Sequence, residues 1–206
     1  MKIAREGIPY ILTPALVMLL LAALGYWYVA GVFLFLAAFM AFFFRDPERQ
    51  PPTATDVVVA PADGRVTRVR QLEPKRTDSP TLVSIFLSPL DVHINRSPLG
   101  GKITDVTYTS GKFLMATNEN ASLVNEQNTL TIEGDRITVV CKQIAGILAR
   151  RIVCWRRKGD RVALGDRIGL IKFSSRTDVV MPEQVEVLVT EGMRVQGGTT
   201  IIGRIR

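Results

Sequence analysis

Asn128-Thr-Leu-Thr-Ile-Glu-Gly-Asp-Arg-Ile-Thr-Val-Val-Cys-Lys-Gln143 reads as two strands about a glycine turn. Apolar and polar side chains alternate on both sides of Gly134, which gives each run one face for a core and one for water. Runs of the same kind extend outward in both directions: Asp56 to Ala60, Arg65 to Leu72, Thr81 to Leu87 and Lys102 to Thr109 before it, then Ile147 to Trp155, Ile168 to Phe173, Asp178 to Met181, Val185 to Thr190 and Thr199 to Ile205 after it. Glycines punctuate nearly every junction, as tight turns between strands require. Only Phe113 to Val124 has helical character. The predicted class is mainly β, a curled β-sandwich or barrel-like domain over residues 57–206. A weak repeat supports it: Gly159-Asp-Arg-Val-Ala-Leu-Gly-Asp-Arg-Ile168 matches Gly192-Met-Arg-Val-Gln-Gly-Gly-Thr-Thr-Ile201 at Gly, Arg, Val, Gly and Ile, implying two related hairpins.

The N-terminal end is different. No charged residue occurs between Glu6 and Arg45. A single helix through that interval would run about 57 Å, nearly twice the roughly 30 Å hydrocarbon core. A break within Gly25 to Gly31, beside Tyr26, Trp27 and Tyr28, divides it into Ile8 to Leu24 and Val29 to Phe44, each about 25 Å long. Residues 1–44 are therefore expected to form a membrane-associated helical hairpin, with the aromatic cluster at an interface. Lys2 and Arg5 before it and Arg45 and Arg49 after it place both ends, and the β domain, on the cytoplasmic side of the cell membrane. Arg45 and Arg49 serve there as positive anchors or lipid-phosphate contacts. The apolar stretch is too long for a signal-peptide core, and no small-residue cleavage site follows it. Residues 45–56, with Pro47, Pro51 and Pro52, read as a linker.

Composition closes off other classes. The chain of 206 residues is 47% hydrophobic, too apolar for a disordered protein, and its two cysteines, Cys141 and Cys154, cannot build a disulfide framework. One histidine, His93, rules out a multi-histidine metal site, so no metal is expected. The net charge of +7 suits an anionic lipid surface. Its Arg and Lys are scattered, without an aromatic-basic recognition motif, so nucleic acid is not an expected partner.

Three segments hold candidate chemistry. Ala60-Pro-Ala-Asp-Gly-Arg-Val66 sets Asp63 at a strand end ahead of Gly64. Ser88-Pro-Leu-Asp-Val-His-Ile-Asn-Arg-Ser-Pro98 puts His93 and Asn95 on one face of an extended run. Ile168-Gly-Leu-Ile-Lys-Phe-Ser-Ser-Arg-Thr-Asp178 runs an apolar strand into Ser174, Ser175 and Arg176. Each has an ordinary alternative as a turn Asp, a hydrogen-bonded strand histidine and a polar turn. Together they allow an Asp-His-Ser arrangement, in which carboxylate orients imidazole and imidazole takes a hydroxyl proton. A membrane-anchored Asp-His-Ser lipid hydrolase is one reading, although no Gly-x-Ser-x-Gly elbow is present.

The order of Phe42-Phe-Phe-Arg-Asp-Pro-Glu-Arg49, Ala60-Pro-Ala-Asp-Gly64, Asp91-Val-His-Ile-Asn-Arg96, Asn125-Glu-Gln-Asn128, Gln143-Ile-Ala-Gly146 and Ala149-Arg-Arg-Ile152 resembles the phosphatidylserine decarboxylase family in its short, membrane-associated bacterial and archaeal form. The resemblance spans essentially the whole chain. It implies a proenzyme that cleaves itself before Ser175 and converts that serine into a covalent pyruvoyl group, with no soluble cofactor. His93 would deprotonate Ser175, Asp63 would orient His93, and the products would be a heterodimer of chains 1–174 and 175–206. The pyruvoyl ketone would form a Schiff base with phosphatidylserine, whose decarboxylation yields phosphatidylethanolamine and CO2. The family pattern Phe-Gly-Ser-Arg aligns with Phe173-Ser174-Ser175-Arg176, so Ser174 stands where glycine is usual. A third reading is therefore a processing-defective relative that binds lipid without turnover. Gly197-Gly-Thr-Thr200 is similar to the Leu-Gly-Ser-Thr processing site of longer members, but threonine cannot become pyruvoyl.

Overall fold

The computed structural model describes residues 2–76, 78–115, 118, 121–147, 151–173 and 175–206. The chain falls into two compact units, Met1–Glu48 and Arg49–Arg206.

In the first unit, strand β1 (Lys2–Ile3) leads through a 3-10 turn (Arg5–Gly7) into helix α1 (Ile8–Ala23), and helix α2 (Trp27–Phe43) returns to strand β2 (Arg45–Asp46). The helices pack on each other, and β1 pairs antiparallel with β2, Lys2 opposite Asp46. The apolar stretch thus forms the expected hairpin. Its break is tighter than the sequence suggested: Leu24, Gly25 and Tyr26 suffice, and Gly31 lies inside α2. The reason is Gly25 at φ +83°, a left-handed residue that ends α1 in one step without a Cβ penalty. Arg5–Ala23 is long and apolar enough to cross a membrane, and Trp27–Phe43 is a shorter apolar helix. Leu16, Leu20, Val32 and Phe35 stand exposed along them, so the outer surface of the hairpin is itself apolar.

The second unit is β-rich. Its strands are β3 (Val57–Val59), β4 (Gly64–Gln71), β5 (Thr81–Leu87), β6 (Ile94–Arg96), β7 (Gly101–Thr109), β8 (Gln127–Glu133), β9 (Thr138–Ala145), β10 (Ile152–Cys154), β11 (Arg161–Val162), β12 (Arg167–Ile171), β13 (Ser175–Met181), β14 (Val185–Val187), β15 (Arg194–Val195) and β16 (Ile201–Ile205). Among the described residues the expected helical segment contributes one short helix, α3 (Ala121–Val124), and the run from Ile147 to Trp155 is strand over β10. An eight-stranded antiparallel sheet, in the order β11-β7-β8-β9-β13-β5-β4-β15, curls into a half-barrel. Two three-stranded sheets, β10-β12-β6 and β14-β16-β3, complete the unit. Val66, Ile85, Leu130, Val139 and Val179 of the large sheet share a core with Val58, Ile168 and Ile202 of the small ones.

The strand order is symmetric about the β9-β13 pair. β11, β7, β8 and β9 on one side correspond to β15, β4, β5 and β13 on the other, and β10-β12-β6 corresponds to β14-β16-β3. The repeated sequence segments occupy equivalent places: β11 and β15 are the two edge strands, entered after Gly159 (φ +98°) and Gly192 (φ +91°) and left through Gly165 (φ +76°) and Gly198 (φ +79°). Even the irregularities match, with register shifts at Val66/Arg68 in β4 and Ile103/Asp105 in β7. The symmetry is broken chemically. β3 is Val57-Val58-Val59, whereas β6 is Ile94-Asn95-Arg96 with all three residues buried, so of these two equivalent strands only β6 brings polar side chains into the interior.

Candidate active site

Ser175 is the first residue of β13, which lies between β5 and β9 at the centre of the large sheet. It pairs with Leu87 on one side and Ala145 on the other, and Arg65 pairs with Phe86. Gly64, Leu87, Ser175 and Ala145 therefore form a row across four strands at one end of the sheet. With neighbouring strands about 4.8 Å apart, Gly64 and Ser175 are separated by roughly 10 Å. Ser175 is buried, and its Oγ has no hydrogen-bond partner among the described residues. A buried hydroxyl in that condition is costly unless it has a task.

The small sheet β10-β12-β6 brings the histidine to this row. Asn95 pairs with Gly169 within it, and Asn95 Nδ2 donates to Thr177 Oγ1 of the large sheet at 3.0 Å. Gln143 Nε2 in turn donates to Asn95 Oδ1 at 2.8 Å, and Asn128 Nδ2 to Gln143 Oε1 at 3.1 Å. A Cβ on Gly169 would sit 2.1 Å from the Val153 carbonyl oxygen and 3.0 Å from Gln143 Nε2, so only glycine allows this approach. One row further on, Ile171 of the small sheet packs on Ala145 of the large one. His93 immediately precedes β6, two residues before Asn95, as Ser175 heads β13 two residues before Thr177, and Asn95 and Thr177 are hydrogen-bonded to each other.

The imidazole is buried, and its Nδ1 lies 2.9 Å from the Asp91 carbonyl oxygen. A carbonyl only accepts, so Nδ1 carries a proton, and in the neutral ring the lone pair is on Nε2. The turn behind it is locked by Asp91, whose Oδ2 accepts from Ser88 N at 2.8 Å and Ser88 Oγ at 2.7 Å. Asp63 follows β3 on a loop tied to β6, since Arg96 N donates to the Pro61 carbonyl at 2.8 Å. Its Oδ1 accepts from Gly197 N at 2.8 Å and its Oδ2 from Arg49 at 2.7 Å. Arg49 and Asp63 are each only 15% exposed. Arg49, expected as a positive anchor or lipid-phosphate contact, has its guanidinium paired with Asp63 in the β unit. Arg45 lies over the Phe42 ring at 3.8 Å and donates to the Phe42 carbonyl.

On the other face of β13, Arg176 and Asp178 form a buried bidentate pair, Nε to Oδ1 at 2.8 Å and Nη2 to Oδ2 at 2.9 Å. Phe173 takes φ +61°, a left-handed conformation unfavourable for an aromatic side chain. Ser174, the other half of the expected cleavage site, lies outside the described residues, as do Ala149 and Arg150 of the motif series. Burial pushes the Cys141 thiol up, aided by the charge of Asp178, and so keeps it unreactive. Among the described residues no three His, Cys, Asp or Glu side chains gather as a metal ion would need.

Sequence reading passed over Asp91, Gln143 and Asn125 as working parts. Ser88-x-x-Asp91 is a recognisable local turn and was the available signal for the first. Asn125 accepts from Leu114 N at 2.9 Å and donates to the carbonyls of Leu114 at 2.8 Å and Ala145 at 2.7 Å, a clamp no local pattern reveals.

The family model for phosphatidylserine decarboxylase matches residues 36–203. Curated relatives named phosphatidylserine decarboxylase proenzyme include one from Solibacter usitatus, 47% identical over 99% of this chain and 97% of its own. Others are from Symbiobacterium thermophilum, 49% identical over 98% and 95%, and Geobacter sulfurreducens, 44% identical over 98% and 95%. With the match running through both units and through all three candidate segments, the chain belongs to the phosphatidylserine decarboxylase family.

Proposed function

We propose that the chain is a phosphatidylserine decarboxylase, forming phosphatidylethanolamine and CO2, and that Ser175 is its self-processed centre. The observation carrying this reading is the buried Ser175 Oγ at the head of a central strand, without a hydrogen-bond partner among the described residues, on the strand that Asn95, two residues after His93, bonds to. In maturation His93 Nε2 takes the Ser175 Oγ proton while Oγ attacks the Ser174 carbonyl carbon. The 174–175 C–N bond breaks as the Ser175 nitrogen gains a proton, leaving an ester. Loss of the Ser175 Cα proton then expels the Ser174 carboxylate, and water releases the nitrogen as ammonia. His93 is pre-set for the first step by the Asp91 carbonyl, which keeps its proton on Nδ1. Asp63, the residue proposed to orient His93, has its own carboxylate held by Gly197 N and Arg49. Phe173 at φ +61° stores about 1–3 kcal/mol next to the reacting peptide.

A pyruvoyl group fits position 175, because the side chain there is buried at the head of a central strand and its hydroxyl has no partner among the described residues. Such a group supplies a carbonyl electrophile and an electron sink for CO2 loss. The chain's residues position it. Arg176 and Asp178 clamp the outer face of β13, and the ladders to β5 and β9 hold the cut end in register. The products would be chains 1–174 and 175–206. The small chain contributes β13 to β16, with Val179, Met181 and Ile202 in the core, so separation would expose the domain's centre and the two remain a heterodimer. Residues 1–44 form the membrane hairpin, 45–56 the linker and 57–206 the catalytic domain. Lys2, Arg5 and Arg45 favour the cytoplasmic side of the cell membrane for the hairpin's flanks.

The test is release of labelled CO2 from carboxyl-labelled phosphatidylserine. Wild type should release it, a carbonyl reagent such as phenylhydrazine should stop it, and S175A should be inactive. Equal release by S175A would overturn the reading.

A further inference from the structure

The Ser175 end of the β unit carries apolar side chains that stand exposed among the described residues. Phe113, Met115, Leu123 and Val124 are 38%, 60%, 78% and 36% exposed, Ile147 is 56% and Leu90 is 64%. These come from separate stretches of chain brought to one place. Lys112 N donates to the Val124 carbonyl, Glu126 N to the Lys112 carbonyl, and Asn125 ties both to the Ala145 carbonyl, the residue paired with Ser175. Ile147 follows Ala145 by two. Leu90 stands on the opposite flank, between Leu87, which also pairs with Ser175, and His93. The apolar groups therefore bracket the reactive row on two sides.

The rim is pinned, so its exposure is built in. Asn125 is 1% exposed and spends its whole amide on Leu114 and Ala145, fixing the backbone next to Phe113 and Val124, whose side chains stand exposed. Charge lies behind the tips. Lys112 precedes Phe113, and Arg151 is joined to the same end through its carbonyl, which accepts from Lys172 N. Both basic side chains are exposed, whereas Glu126 and Asp91 on this end are folded inward. Exposed apolar tips backed by cations match an anionic bilayer, with apolar groups below the headgroups and cations among the phosphates. The turn at the opposite end of the β8-β9 hairpin is Glu133-Gly134-Asp135-Arg136, without such tips.

We infer that this rim is a membrane-insertion surface of the catalytic unit, separate from the N-terminal hairpin, which seats the mouth of the Ser175 site in the headgroup layer of an anionic bilayer. It rests on the reading of Ser175 as a centre for a lipid headgroup and adds how that headgroup arrives: laterally, without leaving the bilayer.

The test uses the full chain with Cys154→Ser, since Cys141 is buried, and one new cysteine at a time, Leu123→Cys, Ile147→Cys or Asp135→Cys, each bearing an environment-sensitive fluorophore. The protein is reconstituted in phosphatidylcholine vesicles containing phosphatidylglycerol. Labels at 123 and 147 should shift to the blue and be quenched by acyl-brominated lipid, and the label at 135 by aqueous iodide. Iodide access at 123 and 147 equal to that at 135 would overturn the inference. So would shielding from iodide without quenching by brominated lipid, which means a second copy covers the rim. As a second measurement, M115E/L123E should raise the apparent KM for phosphatidylserine in vesicles at least about tenfold with kcat retained, because burying even one large apolar side chain is worth that factor. An unchanged KM contradicts the inference. Intact mass of the same samples reports self-cleavage independently: an uncleaved chain whose 123 label lies in lipid refutes the processed-serine reading and leaves the docking surface standing.

Discussion

Replacing Arg176 by methionine tests whether β13 is held as described. The Arg176 and Asp178 side chains are 3% and 1% exposed, joined by two bonds under 3 Å, with Arg176 Nη1 also donating to the Asn118 carbonyl at 3.3 Å. R176M removes the cation and strands a carboxylate where water cannot reach it. Breaking one side of a buried pair costs about 3–5 kcal/mol. Lys142, opposite Asp178 on β9, offsets part of this, so the lower end applies. At about 2–4 °C per kcal/mol for a unit of this size, the thermal midpoint should fall by roughly 6–12 °C. The assay is heat unfolding in the S175A background, where the chain stays whole, followed through Trp155 in the β unit. R176M/D178L, which removes both charges, should recover most of the loss. A single variant within about 1 kcal/mol of its parent, or a double variant no better than the single, would refute the reasoning.

Three further outcomes are expected. H93A should leave the purified chain uncleaved, with a thermal midpoint close to that of S175A; cleavage at the wild-type rate would remove His93 from maturation. N95L orphans Thr177 Oγ1 and Gln143 Nε2 and should cost about 1–3 kcal/mol for each group left without a partner, read as a drop in urea midpoint; a neutral result would mean the chain from Thr177 to Asn128 bears little load. Alkylation of the native protein should modify half-buried Cys154 and spare Cys141, whose thiol burial holds protonated, until denaturant is added; equal labelling by peptide mass would contradict the packed β9-β13 interface.

Much of the architecture was legible because it is written locally. Thr81–Leu87 shows its full strand in its own residues, and the apolar interval ending at Arg45 announces the hairpin. What escaped is what register decides. β11 and β15 are two residues long, too short for a period, and only the repeated Gly, Arg, Val and Ile positions in and around them signalled their equivalence. Phe113 to Val124 has helical composition, yet Asn125 ties Leu114 to Ala145, and Phe113 to Met115, held by that tie, are not helical. At the site, Asp63, His93 and Ser175 stood out as residue types, and the structure brings their segments to one end of the sheet. Arg49 read as a membrane anchor because its partner, Asp63, is folded against it from beyond the linker. The Asn95-Gln143 link joins strands 48 residues apart, a distance over which no sequence pattern speaks.

The account turns on a chemical event at Ser175, and intact mass of the purified full chain beside S175A tests it most directly. Wild type should appear as two fragments meeting at 174/175, the small one bearing a ketone in place of its N-terminal amine, while S175A remains whole. A wild-type chain recovered as one unmodified species of 206 residues would contradict it.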